Sequence, residues 1–268
     1  MKIQIASDLH LESASQRDWI KRNPLEVVGD ILVLAGDIGS WKDVKELEEE
    51  EFISWATSHY KYVLMIHGNH SFYGAGDLGT IEDGFIKTKY DNLYYGFNTS
   101  IVLDGVEFIL CPLWSDIDPK REIPIYVSLS DFKRIKYKGE PLTIEGYREV
   151  HRRCLKYLEE AMFLFPTEYP RVVITHHAPS LELANTMFGG DIYTSAFNSP
   201  LDSLIASSGA SYWIYGHTHS NVCKEIRGVS CVCNQLGYVN HNEHRMNKYK
   251  SNFFVEINPL YESHCENV

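Results

Sequence analysis

The chain has 268 residues, of which 44% are hydrophobic, so it is long and apolar enough to bury the core of one large domain. Its formal net charge of -11 argues against a broad nucleic-acid or anionic-membrane footprint, because those surfaces require clustered Lys and Arg. The start of the chain has no apolar core of signal-peptide length and no later run approaches a membrane span, so we expect a soluble, cytoplasmic protein.

The first two predicted strands both end in polar residues. Residues 2–6 alternate between polar and apolar side chains and contain β-branched residues, which predicts a strand. Asp8 and His10 follow this strand two residues apart on extended chain, so both side chains project the same way. Residues 31–34 form a continuous apolar run, which is typical of a strand buried on both faces. Asp37 follows between two glycines that let other backbone approach closely, and this position is well suited to hold one cation or two.

A helix and a third strand come next. Apolar residues with helical spacing predict a surface helix over residues 44–60, and its glutamate run indicates a solvated helix face rather than a metal site. A short apolar strand is predicted over residues 62–66, and it ends in a segment that contains Asn69 and His70. Residues 71–90 are glycine-rich at first and then predict a helix.

The middle of the chain combines a hairpin, an irregular segment and a long helix. Residues 98–110 are typical of a β-hairpin with an Asp-Gly turn. Residues 111–141 are the least regular part of the chain, and they form either a lid or substrate-facing insertion or an ordinary long connection. The amphipathic pattern that follows predicts a helix capped by Thr143 and running to about Phe163.

Two further strands again end in potential metal ligands. They are predicted over residues 171–174 and 211–215. The side chains that follow them are His176 and His177 in the first case and His217 and His219 in the second. Three more strands are predicted over residues 222–226, 229–233 and 253–257. No internal repeat or linker divides the sequence, so we expect a single domain over residues 1–268.

Five separate strand ends therefore carry potential metal ligands at one inferred edge of a sheet. A lone histidine at a strand end is usually a hydrogen-bonded loop residue, but five coincidences at one edge predict a metal site. Imidazole, carboxylate and amide groups without a thiolate suit divalent Mn, Fe, Zn, Co or Ni. Two ions need about eight protein contacts, which these residues supply if Asp37 bridges the two ions.

The order of these motifs resembles the calcineurin-like metallophosphoesterase superfamily. The motifs read Asp8-Leu9-His10, Gly36-Asp37, Gly68-Asn69-His70, His176 and Gly216-His217-Thr218-His219. The resemblance implies an α/β fold in which two mixed β-sheets pack together and are flanked by helices. It also implies a dinuclear-metal phosphomonoesterase or phosphodiesterase, which attacks a small phosphorylated molecule or nucleotide with a metal-bridging hydroxide.

The resemblance assigns a role to each matching residue. It implies that the first metal ion is held by Asp8, His10, Asp37 and His219. It implies that the second ion is held by Asp37, Asn69, His176 and His217. His70 would face the substrate and donate a proton to the leaving oxygen, while Asn69 would polarise a phosphoryl oxygen through its metal. His177 is left as a phosphate-facing, ligand-supporting or structural residue.

The sequence departs from the family pattern at two positions. Ser40 stands where the family often has Asp, and Ser71 stands where an acid usually follows the Gly-Asn-His motif. If that acid orients His70, then Asp77 or another carboxylate must replace it here.

Two alternatives stay open at this point. One is a nuclease of the same superfamily, which would need a basic track, and the other is a metal-binding scaffold that has lost turnover. Five residues are candidates for lining a substrate pocket, with surface or strand-capping roles as the alternative for each: Asp116, Asp131, Arg134, Asn234 and Tyr238. The segment that contains His241 and His244 predicts a solvated loop rather than a third metal site.

Overall fold

Two six-stranded β-sheets pack face to face in this structure, a computed structural model that describes residues 1–74, 76–163, 167–185 and 192–260. In spatial order, the first sheet contains β14 (Phe254–Glu256), β1 (Lys2–Ala6), β2 (Ile31–Leu34), β3 (Tyr62–Ile66), β5 (Leu93–Phe97) and β4 (Gly84–Ile86). The second contains β12 (Lys224–Ile226), β13 (Val229–Val232), β11 (Ala210–Ile214), β10 (Arg171–Ile174), β7 (Val106–Leu110) and β6 (Thr99–Leu103). A separate ribbon pairs β8 (Lys136–Tyr137) with β9 (Glu140–Pro141).

Helices cover the outer faces and fill the connections. The α-helices are α1 (Ala14–Arg22), α2 (Val44–Glu49), α3 (Glu51–His59), α4 (Glu122–Ser128), α5 (Asp131–Arg134), α6 (Ile144–Phe163), α7 (Thr194–Phe197), α8 (Asp202–Ser207) and α9 (Glu243–Met246). Short 3₁₀ turns span Asn69–Phe72, Leu78–Thr80, Pro119–Arg121, Leu181–Leu183 and Val239–His241. Across the described ranges, no helix combines the length and the apolar character needed to cross a lipid bilayer.

The four central strands of each sheet run parallel. In the first sheet β1, β2, β3 and β5 are parallel, and the edge strands β14 and β4 are antiparallel to them. In the second sheet β7, β10, β11 and β13 are parallel, and β6 and β12 are antiparallel. Because the carboxyl ends of parallel strands meet at one edge, the loops that follow these strands converge above the sheets.

The apolar core forms one layer between the sheets and one layer outside each sheet. The middle layer includes Ile5, Val33 and Leu64 from the first sheet and Phe108, Val172 and Ile214 from the second. Outside the first sheet pack residues of α1 and α3, and outside the second pack residues of α6. These strands are buried on both faces, which explains their continuous apolar runs. The layered arrangement predicted from the family resemblance is confirmed.

The sequence predictions were confirmed for the hairpin and wrong for the first surface helix. Asp104 and Gly105, with φ values of 47° and 75°, form the tight turn between β6 and β7. Residues 44–60 form two helices instead of one, because Glu50 adopts an extended backbone between them. The break lets both Leu47 and Ile53 reach the core, whereas residues six positions apart on one continuous helix would face different sides.

Residues 71–90 also differ from their prediction, because they contain 3₁₀ turns and the strand β4 instead of a helix. The backbone at Gly74 and Gly84 has φ values of 97° and 125°, which an α-helix excludes. The irregular segment 111–141 contains α4, α5, β8 and β9, and its two strands pair with each other in the small ribbon.

A buried ion pair joins two neighbouring strands of the second sheet. Arg171 on β10 lies opposite Glu107 on β7, and its Nε donates to Glu107 Oε2 over 2.6 Å, with side-chain exposures of 6% and 10%. We expect Glu107→Gln to lower the free energy of unfolding by about 3–5 kcal/mol, because the guanidinium stays buried without a counter-charge. Urea unfolding followed by circular dichroism measures this change.

The control for this prediction is an exposed ion pair. Glu256 lies 4.0 Å from Lys2, with side chains 68% and 46% exposed, so Glu256→Gln should change stability by less than about 0.5 kcal/mol. An effect of Glu107→Gln no larger than that of the control would show that the buried pair does not stabilise the sheet.

Candidate metal centre

Backbone hydrogen bonds tie together the loops that follow β1, β2 and β11. The amide of Asp8 donates to Gly36 O over 3.1 Å, and the amide of His10 donates to Asp37 O over 2.9 Å. The amide of His217 donates to Asp8 Oδ1 over 3.0 Å, which joins the second sheet to the first. These bonds fix the positions of the side chains that the two sheets bring to their common edge.

Five of the predicted ligands have a left-handed backbone, which is uncommon outside glycine. Their φ values are 54° at Asp8, 50° at His10, 51° at Asp37, 69° at His217 and 45° at His219. Such conformations cost free energy and cluster at functional sites, where the surrounding structure holds them in place. The strained backbone therefore points to this sheet edge independently of the sequence motifs.

Two glycines are required by close approach inside the cluster. Gly36 has a φ of 89°, and a Cβ atom there would overlap Nδ1 of His176. A Cβ at Gly68 would overlap Oδ1 of Asp37. A side chain at either position would displace a predicted ligand, so these glycines provide the space in which His176 and Asp37 lie.

The predicted ligands form overlapping groups of potential donor atoms. One group contains Asp8, His10 and His219, a second contains Asp37, His176 and His217, and a third contains His10, Asp37 and His70. Within each group the donor atoms lie within 4.8 Å of one another. Asp37 belongs to two groups, and so does His10. The residues at the five strand ends are therefore gathered in one place, with Asp37 near the middle.

In the first group, the two histidine rings bring their Nε2 atoms close together. Nε2 of His10 lies 3.0 Å from Nε2 of His219, and the latter atom lies 3.5 Å from Oδ1 of Asp8. Asp8 is fully buried and also accepts a hydrogen bond from the Ser7 hydroxyl over 2.5 Å. Two imidazoles and a carboxylate thus direct donor atoms at a common point.

The second group adds the amide of Asn69. Nε2 of His176 lies 3.5 Å from Oδ2 of Asp37 and 3.2 Å from Oδ1 of Asn69. Nδ2 of Asn69 donates to Oδ1 of Asp131 over 2.8 Å, and this bond turns the carboxamide oxygen toward His176. A predicted ligand, Asn69, is therefore held in orientation by a residue of α5.

Partners on the far side of the rings fix the orientation of two histidines. Nδ1 of His176 donates to Ala35 O over 2.9 Å, which directs Nε2 to the inner side, toward Asp37 and Asn69. Nδ1 of His219 lies 2.6 Å from Oε2 of Glu243. Burial lowers the pKa of His219, but hydrogen bonds with Asp8 and Glu243 outweigh it and raise the pKa to about 10 in the metal-free protein. Such outer partners are typical of metal-binding histidines.

The residues present fit a divalent cation. Nε2 of His217 is buried and has no hydrogen-bond partner within the described part of the chain. Burial holds the pKa of His217 well below its usual range, so the imidazole is neutral. Burial raises the pKa of Asp37, but His176 and His70 outweigh it and hold the pKa well below its usual range. A neutral imidazole with an unpaired nitrogen beside a buried carboxylate is a donor set suited to a metal ion.

Glu12 provides the carboxylate that supports His70. Its Oε1 accepts from Nδ1 of His70 over 2.8 Å and lies 3.3 Å from Nδ1 of His10. Burial raises the pKa of Glu12, but these two hydrogen bonds outweigh it and lower the pKa to about 2.

Asp77, the carboxylate that the sequence suggested for this role, instead accepts hydrogen bonds from three backbone N–H groups. Ser71 accepts from the Gly68 amide over 3.2 Å at the start of the 3₁₀ turn.

A cavity of about 570 Å³ opens above the cluster. Its floor contains Asp37, Asn69, His70, His217 and His219. Its walls include Tyr73, Leu129, Asp131, Arg134, Tyr193, Phe197 and Tyr238. The irregular segment 111–141 thus contributes one wall of the cavity through residues 128–134. The volume is within the range of sites for small molecules and exceeds that of a single phosphate group.

Among the other candidates, Asp131, Arg134 and Tyr238 line the cavity, and the remaining two have structural contacts. Asp116 lies 3.3 Å from Nε of Arg148. Nδ2 of Asn234 donates to two backbone oxygens, each over 2.8 Å.

The structure also shows the surroundings of the three remaining histidines considered in the sequence, which are His177, His241 and His244. His177 is fully buried, and its Nε2 lies 3.0 Å from the hydroxyl of Tyr147, away from the cavity lining. The segment with His241 and His244 is not a fully solvated loop, because α9 begins there and Glu243 is buried against His219.

The sequence interpretation missed Glu12, Tyr73 and Glu243. Glu12 continues the two-residue spacing of Asp8 and His10, and that spacing could have identified it. Tyr73 and Glu243 carry no local signal, because their contacts come from elements distant in the chain.

Comparison with known proteins gives three findings. The family model for calcineurin-like phosphoesterases matches residues 1–221. An uncharacterized protein of Acanthamoeba polyphaga mimivirus is 26% identical over 284 aligned residues, which cover 96% of this chain and 97% of that protein. The crystal structure of the phosphopantetheinyl hydrolase from Mycobacterium tuberculosis has a TM-score of 0.67 at 18% identity, over 97% of this chain and 98% of that chain. The last likeness shows a shared fold.

Proposed function

This chain belongs to the calcineurin-like phosphoesterase family, and from that premise we propose that it hydrolyses a small phosphorylated molecule with the aid of two divalent metal ions. The observation that supports this most directly is the position of Asp37, a buried carboxylate shared by two groups of potential donors. A carboxylate in this position can bind two ions at once.

The proposed ligands follow the two groups. The first ion is held by Asp8, His10, Asp37 and His219. The second ion is held by Asp37, Asn69, His176 and His217. The mixture of imidazole, carboxylate and amide donors suits Mn, Fe, Zn, Co or Ni. When bound, two such ions neutralise phosphoryl oxygens and lower the pKa of a water molecule, which makes an anionic ester open to attack near neutral pH.

His70 is the proposed proton donor. Glu12 holds its Nδ1, and its Nε2 lies 3.3 Å from the Tyr238 hydroxyl and 4.0 Å from Oδ2 of Asp37 at the cavity floor. Without bound cations, burial lowers the pKa of His70, but Asp37 and Glu12 outweigh it and raise the pKa above its usual range. With cations on Asp37, the Glu12 carboxylate at Nδ1 remains to favour the protonated imidazole. A protonated imidazole at this place can supply a proton to the leaving oxygen, which contributes about 10²–10⁴-fold to the rate.

Asn69 orients the reacting group in this proposal. Its Nδ2 is occupied by Asp131, so its oxygen stays on the side of the metal ligands. Tyr73 donates to the same carboxylate oxygen of Asp131 over 2.6 Å, and this second bond stiffens the arrangement. The carboxamide therefore keeps its orientation without help from substrate.

A small substrate agrees better with the surface than a nucleic acid does. Among the described residues that line the cavity, Arg134 is the single arginine or lysine, and the chain carries a formal net charge of -11. A nuclease requires several cations along the phosphate backbone.

Hydrolysis of p-nitrophenyl esters tests the proposal. Protein stripped with a chelator and dialysed should be inactive toward p-nitrophenyl phosphate and bis-p-nitrophenyl phosphate, and added Mn²⁺ or Zn²⁺ should restore turnover of at least one ester. Elemental analysis should give two ions per chain for the restored protein. Protein that binds two ions and hydrolyses neither ester, with any of the five metals, would favour the scaffold alternative.

A further inference from the structure

Among the described residues, a single arginine lies in the wall of the cavity outside the cluster of predicted ligands. Arg134 lies at the end of α5, and its guanidinium carbon is 4.6 Å from the centre of the Tyr73 ring. The same ring lies 4.0 Å, centre to centre, from the ring of His70. The guanidinium is therefore one aromatic ring away from the proposed proton donor, in a position fixed by stacking.

The surroundings of Arg134 leave its charge available. No carboxylate of the described residues lies within ion-pair distance of it, although Asp131 is in the same helix. Oδ1 of Asp131 accepts hydrogen bonds from Asn69 and Tyr73, and Oδ2 is buried without a hydrogen-bond partner among the described residues. An exposed cation that lines a cavity and has no acidic partner is suited to bind an anion from solution.

The size of the cavity supports a ligand with more than one recognised group. At about 570 Å³ it holds much more than the phosphoryl group that the metal ions would bind. The planar fork of arginine matches an oxyanion with two parallel hydrogen bonds, whereas a lysine would offer a point charge.

We propose that Arg134 is the binding site for a second oxyanion of the substrate, so that the enzyme prefers phosphoesters that carry a further phosphate or carboxylate group. This inference rests on the proposed function, because it assumes that the first phosphoryl group lies at the metal ions. Tyr73 holds the guanidinium over the cavity, and the substrate spans the distance from Asn69 to Arg134.

Matched pairs of inhibitors test this inference. The metal-loaded enzyme hydrolyses whichever p-nitrophenyl ester it turns over, and inhibition constants are measured in that assay. They are compared for adenosine 5′-monophosphate against adenosine 3′,5′-bisphosphate, and for phosphoethanolamine against O-phosphoserine. Within at least one pair, the compound with the additional oxyanion should bind about tenfold more tightly, as expected for a charge-assisted hydrogen bond. The pair that responds identifies the second oxyanion as phosphate or carboxylate.

Substitutions of neighbouring cations separate this site from general electrostatics. Arg134→Ala should reduce the preference within the responding pair to less than about twofold, and Arg134→Lys should restore part of it, because the charge remains while the fork is lost. Lys133→Ala is the matched control, since Lys133 donates to Val127 O over 2.7 Å and is not part of the cavity lining. The control should keep the preference of the unmodified enzyme.

The two proposals fail in different ways. If the unmodified enzyme hydrolyses neither p-nitrophenyl ester with any of the five metals, the proposed function is wrong. If hydrolysis occurs but neither pair shows a preference, or if Arg134→Ala keeps the preference, then the second oxyanion site is wrong and the proposed function stands.

Discussion

Replacing Asp37 with Asn is expected to remove bound metal and hydrolysis together. Asp37 is 2% exposed, belongs to two groups of donor atoms and accepts the amide of His70 over 2.9 Å. The amide of Asn keeps this hydrogen bond but lacks the negative charge that two cations require. Because metal stabilisation of the transition state amounts to several kcal/mol, kcat should fall by about 10³-fold or more. Assays with p-nitrophenyl esters and elemental analysis of the same samples measure both effects.

An acidic residue outside the cavity provides the control. Asp116 has a side chain that is 63% exposed and pairs with Arg148, so Asp116→Asn removes the same charge at a position outside the cavity lining. This variant should keep two ions per chain and full activity. The assignment of Asp37 as the shared ligand would be wrong if Asp37→Asn retained two ions per chain.

The convergence of the loops after β1, β2, β3, β10 and β11 could be anticipated from sequence. Each of these strands is a short apolar run, and the rule that parallel strands end at one edge brings Asp8, Asp37 and Asn69 toward one another. The rule acts through the backbone and does not depend on distances along the chain. The two-sheet arrangement was implied by the family resemblance, and the family comparison confirms it. The strand-end rule alone placed all five ends at the edge of one sheet, whereas β1, β2 and β3 lie in the first sheet and β10 and β11 in the second.

Contacts between side chains of distant loops could not be predicted in the same way. Glu12 meets His70 across 58 positions, and Glu243 meets His219 across 24 positions. The local pattern around Glu243 is polar and indicated a solvated loop, because nothing nearby in sequence reports a partner on another loop. The absence of an acid at Ser71 was visible in the sequence, but only the folded structure places Glu12 against the same ring.

Replacing His70 with Ala is expected to lower the rate mainly for esters with poor leaving groups. An ester whose alcohol leaves as a stable anion needs no proton, whereas a basic alkoxide does. For the poorest leaving groups the loss should reach about 10²–10⁴-fold, while p-nitrophenyl esters should lose much less. A series of phosphoesters with leaving alcohols of increasing pKa gives this dependence as the slope of the logarithm of the rate against that pKa. An unchanged slope would exclude His70 as the proton donor.

Glu12→Gln tests whether the carboxylate acts through His70. Glutamine keeps the length of the side chain but not the charge that favours the protonated imidazole and the 2.8 Å hydrogen bond at Nδ1. The variant should show part of the slope change of His70→Ala, with metal content unchanged as measured by elemental analysis. If Glu12 acts only by orienting His70 and favouring its protonated form, then Glu12→Gln should not lower the rate further once His70 is alanine. Residues that act as a unit have non-additive effects on the rate. Additive losses in the double variant would instead assign Glu12 to His10, which its Oε1 approaches to 3.3 Å.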